Sequence, residues 1–192
     1  MPEDAGVHDP FPDREVLEAA LAARPHPPVE GPGRPAAVMV CLEDEHVLLL
    51  RRALSPDDPW SGHVSFPGGR YDPGDRGLLG TALRETLEEV GFAPEDHGHV
   101  VGALGEYAGR GRGISSIRIA AFVAALDERP ELQLSDEVAD AHWVALDALV
   151  PDSAVVDTVR GPMPAFRVDV EGAPLVVWGI TYGILEVLRA VR

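Results

Sequence analysis

The chain has no lysine: all 16 of its basic side chains are arginine. High genomic GC content would account for that without any functional cause. Basic charge is scarce overall, with 32 acidic residues against those 16, a net charge of −16 and a sequence pI of about 4.7. A balance this acidic argues against general nucleic-acid binding, which needs a basic footprint, and against docking on anionic membranes. Only one cysteine is present, Cys41, so an internal disulfide is excluded. It lies in the apolar stretch "AAVMVCLED" and reads as a buried core thiol rather than a nucleophile. No apolar run approaches the ~20 residues that span a bilayer. The first residues, "MPEDAGVHDPFPDREVLEAA", lack the basic start and apolar middle of a signal peptide, so a cytoplasmic protein is expected.

What is present suffices for one domain with an additional arm: 192 residues, 45% of them hydrophobic. Residues 1–33 are rich in proline and charge. Within them "FPDREVLEAALAARP" predicts a short amphipathic helix with Val16, Leu17, Ala20 and Leu21 on one side, followed by a Pro/Gly linker. Residues 34–192 form the expected main domain. "AAVMVCL" and "HVLLLRR" predict paired strands, "HVSF" a short strand ending at "PGG", and residues 78–90 a helix closed by Gly91. "HVVGALGEYAG" and "SSIRIAAFVAAL" predict two more strands, and "AHWVALDAL" a strand running into a helical turn. "AFRVDVEG" predicts an edge strand and "VVWGITYGILEVLRAV" a C-terminal helix. This mixture predicts an α+β protein or a three-layer sandwich.

The stretch "RETLEEVGF" crowds Glu85, Glu88 and Glu89 into the last turns of the central helix. At about 100° per residue, with Glu85 at zero, Glu88 falls near −60° and Glu89 near +40°. Leu79, Leu83, Leu87 and Val90 then fall at roughly 120–200°, which predicts an apolar stripe opposite the acids. Like charges at these spacings each cost a helix roughly 0.2–0.5 kcal/mol. Anions in the last turn also oppose the helix dipole by about 0.3–1 kcal/mol each. Arg84 is the single nearby cation in the helix. A hard divalent cation, Mg²⁺ or Mn²⁺, would supply the missing charge, with Glu85 and Glu89 one turn apart and Glu88 close by. The alternative is a solvated acidic face. The preceding "FPGGRYDPGD" turn carries two glycines, which let backbone approach a ligand and offer a carbonyl to a metal.

Together these residues resemble the Nudix hydrolase box, G-x5-E-x7-R-E-U-x-E-E-x-G-U, where U is a bulky apolar residue. Here Gly69 is followed by five residues, Asp75, eight residues and "RETLEEVGF". Asp75 stands where the box has glutamate, one extra residue follows it, and Thr86 takes the first U position. The resemblance implies an α/β/α sandwich around a mixed sheet. It also implies a substrate in which a nucleoside diphosphate is linked to another moiety. By position it makes Glu85, Glu88 and Glu89 metal-binding carboxylates, with the Gly69 carbonyl as a further ligand. Arg84 would orient them through a salt bridge to Asp75. The flanks, among them "RPAAVMVCL", "LLLRR" and "HVSFPGGRYD", resemble the branch that includes coenzyme A pyrophosphatases. That branch often has Arg and His ahead of a Gly before FPGG, where this chain has Asp58 and Trp60, with His63 following the Gly.

The implied reaction is hydrolysis of a diphosphate bridge by water, catalysed through Glu88, Glu89 and Arg84. The base would be either a glutamate of the box or one from a later loop, for which Glu137 is the candidate; otherwise Glu137 is an ordinary acid of a helix N-terminal turn. Coenzyme A would give 3′,5′-ADP and 4′-phosphopantetheine. ADP-ribose, NADH or an oxidised nucleotide are alternative substrates, and a non-catalytic nucleotide-binding domain is the alternative outside enzymes. Arg52, Arg110 and Arg112 are candidates to hold phosphate; the alternative for Arg110 and Arg112, in "GRGRG", is a merely solvated hairpin tip. His63 is a candidate substrate contact or a packed core histidine, and Trp60 a stacking platform or loop anchor. The resemblance also points toward a homodimer.

Overall fold

A computed structural model describes residues 10–56, 58, 60–109, 116–158 and 161–192. Its centre is a strand that is apolar on both faces. β1 (Arg34–Glu43) runs parallel to β6 (Ile117–Leu126), which pairs antiparallel with β5 (Gly98–Gly109). The near-continuous apolar sequences of β1 and β6 follow from burial on both sides of the sheet. β2 (His46–Arg52) returns from β1 through a tight turn in which Asp44 takes a left-handed conformation, φ 47°.

β1 and β2 stay paired only next to that turn, at Leu42 with Val47 and Glu43 with His46. Beyond it they diverge, and the segment around FPGG enters the fork. β3 (Val64–Ser65) pairs with Leu50 and Arg51 of β2, while β4 (Gly68–Arg70) pairs with Ala36–Val38 of β1. Between them the Pro67 carbonyl accepts a hydrogen bond from the Met39 amide at 2.8 Å. β7 (Val138–Ala145) lines the other side of β2 and runs into a 3-10 turn, as expected of "AHWVALDAL".

Helices cover both faces of this mixed sheet. α2 (Gly77–Val90) covers one face, where Leu78, Ala82 and Val90 pack on Met39, Leu48 and Phe122. α1 (Arg14–Leu21) and α3 (Gly179–Arg189) cover the other, with Leu17, Leu21, Ile184 and Leu188 in one core with Val40, Leu49 and Val123. The expected α/β/α sandwich is therefore present. A second sheet adds to the α3 layer: β8 (Ala154–Thr158), β9 (Gly161–Val168) and β10 (Leu175–Trp178), with β9 in the middle. Two expectations are corrected here. The first half of "AFRVDVEG", Ala165–Val168, lies in a central strand rather than an edge strand and the rest follows it as a loop, and "VVW" closes β10 before the C-terminal helix starts at Gly179. Among the described residues, no helix is long and apolar enough to cross a membrane.

The amphipathic segment of the arm is part of the main core. Asp13 caps α1 by accepting the Val16 amide, and Leu21 is fully buried. The linker behind it is pinned by Arg118, which donates to the Pro28 and Val29 carbonyls and pairs with Glu106. Leu21→Ala should therefore lower the unfolding free energy by about 2–5 kcal/mol in urea titrations. An unchanged midpoint would mean that α1 does not contribute to the folded unit.

Candidate functional site

The fork between β1 and β2 delivers the FPGG turn directly under the C-terminal half of α2. Both glycines are required by close approach. A side chain on Gly68, whose φ is +155°, would meet the Ala37 carbonyl oxygen at 2.4 Å. One on Gly69 would meet the Glu85 carboxylate at 2.3 Å. In return, the Gly68 amide donates to Glu89 Oε2 at 2.9 Å.

The helix is rotated relative to the face predicted from its leucines. Its buried arc contains Leu78, Thr81, Ala82, Thr86, Glu89 and Val90, while Leu87 is 52% exposed. Leu79 and Leu83 are only partly buried at the margin of the core. Glu89 is thus not opposite the buried face but within it, at 5% exposure. Thr86, at the position where the box has a bulky apolar residue, satisfies its hydroxyl internally by donating to the Ala82 carbonyl at 2.7 Å. The three acids consequently differ in setting: Glu89 is buried, Glu85 partly buried and Glu88 exposed.

Arg84 organises the outer part of the cluster. Its Nε and Nη2 donate to the two oxygens of Asp75 at 2.8 and 3.1 Å, a bidentate pair. Nη1 reaches Glu88 Oε2 at 2.8 Å, and Nη2 lies 3.0 Å from Glu85 Oε1 and 3.2 Å from the Arg70 carbonyl. The expected Arg84–Asp75 salt bridge is therefore formed despite the shorter side chain and the extra residue. Asp75 is fixed from behind by the Asp72 amide at 3.0 Å and the Thr81 hydroxyl at 2.8 Å. These contacts, with those of Arg84 the largest, hold the Asp75 carboxyl down at about 2. Beside this network lies an open cleft of about 630 Å³, lined by Arg70, Tyr71, Asp75, Arg84, Glu85 and Glu88.

The inner part is electrostatically the reverse. Burial pushes the Glu89 carboxyl up to about 7; the Gly68 amide and Arg52 oppose the shift, and the charges of Glu85 and Glu137 add to it. Burial also raises Glu85, which Arg84 offsets while Glu88 and Glu137 add to the rise. Arg52, at the end of β2, points Nη1 at Glu89 Oε1 from 3.8 Å. Its Nε donates to Asp58 Oδ2 at 2.8 Å. Burial pushes Asp58 up, but the Trp60 amide and Arg52 outweigh it and hold the carboxyl below its usual range.

The remaining candidates are placed as follows. Glu137 precedes β7 and not a helix, so it is not an acid of a helix N-terminal turn. Its carbonyl accepts the Ala53 amide at 2.8 Å, and its exposed carboxylate makes no ion pair with the described residues, yet it acts on both Glu85 and Glu89. His63 is half-buried against Trp178, with ring centroids 4.8 Å apart, and burial lowers its pKa. Trp60 is a partly buried loop residue whose amide anchors Asp58. Arg110 and Arg112 lie outside the described residues. The Gly68 amide, the Thr81 hydroxyl and the Asp58–Arg52 pair are further parts of the site, beyond the residues expected from the sequence. The FPGG motif was a signal for the first; the other two are contacts across a loop that no spacing rule marks.

Among the described residues, no three His, Cys, Asp or Glu side chains converge on a single point. Arg84 draws Glu85 and Glu88 outward, while Glu89 faces the Gly68 amide. The donor chemistry nevertheless fits a hard divalent cation. All donors are oxygens, and Glu85 and Glu89 are both raised by burial and by like charge, which a cation at that point would relieve.

The Asp75 pair makes a stability prediction. A carboxyl whose folded-state pKa is depressed from 3.8 to about 2 stabilises the fold above pH ~4, and that contribution disappears as pH falls through about 2. Asp75→Asn should cost on the order of 2 kcal/mol at pH 7, and the stabilities of variant and parent should converge toward pH 2 in denaturant titrations. Equal stability at pH 7 would refute the bracing role.

Comparison with known proteins identifies the family. The NUDIX domain model matches residues 33–165. The uncharacterized protein C14C4.10c of Schizosaccharomyces pombe is 40% identical over 117 residues, covering 56% of this chain and 34% of that protein. The uncharacterized Nudix hydrolase NudL of Yersinia pestis is 44% identical over 73 residues, covering 37% of this chain and 36% of that protein. The matched segments thus span about a third of these curated relatives' length. The crystal structure of a MutT Nudix hydrolase from Burkholderia pseudomallei has the same fold, with a TM-score of 0.56 at 19% identity, covering 82% of this chain and 98% of that one. With the family model spanning most of the chain and the box residues gathered at the FPGG turn, the protein belongs to the Nudix family.

Proposed function

We propose that the protein is a metal-dependent pyrophosphohydrolase that cleaves the diphosphate bridge of a nucleoside diphosphate linked to another moiety. The observation that carries this reading is the burial of Glu89 beside Glu85 at the Gly68–Gly69 turn, in a chain of this family. Glu85, Glu88, Glu89 and the Gly69 carbonyl would hold Mg²⁺ or Mn²⁺. Such a cation, when bound, neutralises phosphate oxygens and lowers the pKa of water.

The chain's own residues do the rest. Arg84, fixed on Asp75, holds Glu85 and Glu88 at the mouth of the cleft, so the carboxylates are oriented before substrate arrives. Arg52, with Nη1 3.8 Å from Glu89, presents a guanidinium to the diphosphate, and Arg110, Arg112 and His63 are the further substrate contacts. Glu137 takes the proton of the attacking water as general base. It is exposed, makes no ion pair with the described residues, and lies close enough to Glu85 and Glu89 to act on both.

Within this class the proposed substrate is coenzyme A or a derivative, giving 3′,5′-ADP and 4′-phosphopantetheine. The sequence likeness of the strands flanking the box supports it. A panel of coenzyme A, ADP-ribose, NADH and oxidised nucleotides, assayed with Mg²⁺ or Mn²⁺ and product identification, tests both levels. Cleavage of coenzyme A is expected. Cleavage of ADP-ribose with coenzyme A intact would retain the reaction and replace the substrate. Chelation should abolish turnover and added Mn²⁺ restore it. Glu89→Gln should lower kcat by about a hundredfold or more with an unchanged circular dichroism spectrum; an active Glu89→Gln enzyme would contradict the assignment.

A further inference from the structure

The loop between β2 and β3 is built around one carboxylate. Asp58 accepts the Trp60 amide on Oδ1 at 3.0 Å and Arg52 Nε on Oδ2 at 2.8 Å, and its side chain is 18% exposed. Its own backbone is tied into the loop: its carbonyl accepts the Ser61 amide at 3.0 Å, and Ser61 Oγ in turn accepts the Ser55 amide at 2.8 Å. The two ends are fixed by the sheet. The Arg52 amide donates to the His63 carbonyl at 3.0 Å, and the Ala53 amide to the Glu137 carbonyl at 2.8 Å. Asp58 is thus bonded through both carboxylate oxygens and its own backbone, and it holds the guanidinium of Arg52 by its inner nitrogen.

The consequence falls on Glu89. Arg52 Nη1 stands 3.8 Å from Glu89 Oε1, outside hydrogen-bonding distance, whereas Arg84 closes on its carboxylates at 2.8–3.1 Å. A guanidinium free to move would close that gap, since a buried carboxylate with one amide donor is an attractive partner for it. A closed Arg52–Glu89 pair would occupy the oxygen that the proposed metal requires. We propose that Asp58 is a positioning residue: it restrains Arg52 so that the guanidinium lies near Glu89 without capturing it, leaving Oε1 available to a divalent cation. This inference rests on the metal role of Glu89 proposed above. It also gives a use to an acid at the point where the resembling branch carries a different residue.

The test is Mn²⁺ binding by titration calorimetry to the full chain, with thermal unfolding recorded in parallel. Asp58→Asn, which retains the acceptor for the Trp60 amide but loses the charge that holds Arg52, should bind Mn²⁺ about tenfold more weakly or worse. The double variant Asp58→Asn/Arg52→Gln should recover affinity, because the competitor is gone. A merely structural Asp58 would show no such rescue, and neither would a misfolded variant. Unchanged Mn²⁺ affinity in Asp58→Asn, or loss without recovery in the double variant, overturns the inference while leaving the metal site intact. A parent protein that binds no Mn²⁺ overturns the function reading and this inference together.

Discussion

A carboxylate on the buried side of a helix needs a partner or a proton, and Glu89 is such a group. One of its oxygens takes the Gly68 amide; the other faces a restrained arginine. Much of the surrounding architecture serves that arrangement. The sheet must fork so that the FPGG turn can enter it. The turn must lack side chains at Gly68 and Gly69, because Ala37 and Glu85 occupy the space. The helix must rotate so that Glu89 rather than Leu87 faces inward.

Two arginines divide the electrostatic work. Arg84 belongs to the helix and satisfies acids that solvent also reaches, locked on an Asp75 carboxylate that is itself held by an amide and a hydroxyl. Arg52 comes from the sheet and approaches the buried acid, Glu89. The outer pair is a brace whose energy supports the fold. The inner pair is left open, with Arg52 3.8 Å from a carboxyl that burial pushes up to about 7. That division explains how helix α2 tolerates three glutamates near its negative end.

Much of this was legible in the sequence, for identifiable reasons. The C-terminal limit of α2 follows from Gly91, which adopts φ 81° and whose amide donates to the Leu87 carbonyl. The β1–β2 hairpin follows from two apolar runs about an acidic turn. The Arg84–Asp75 pair follows from the box, even with its altered spacing. The rotation of α2 was not legible, since a helical wheel places acids outside unless something inside receives them, and the receiver is a backbone amide. The second sheet was obscured because alternation in "AFRVDVEG" is the same for an edge strand and for a central strand packed on one face. The Asp58–Arg52 contact joins residues six apart across an irregular loop, where no period applies.

The central claim is that the carboxylates at the FPGG turn form a divalent-cation site. Anomalous diffraction from crystals grown with Mn²⁺ tests it most directly. The account predicts a peak between Glu85, Glu89 and the Gly69 carbonyl. A fully occupied Mn²⁺ elsewhere on the molecule, with that position empty, would contradict it.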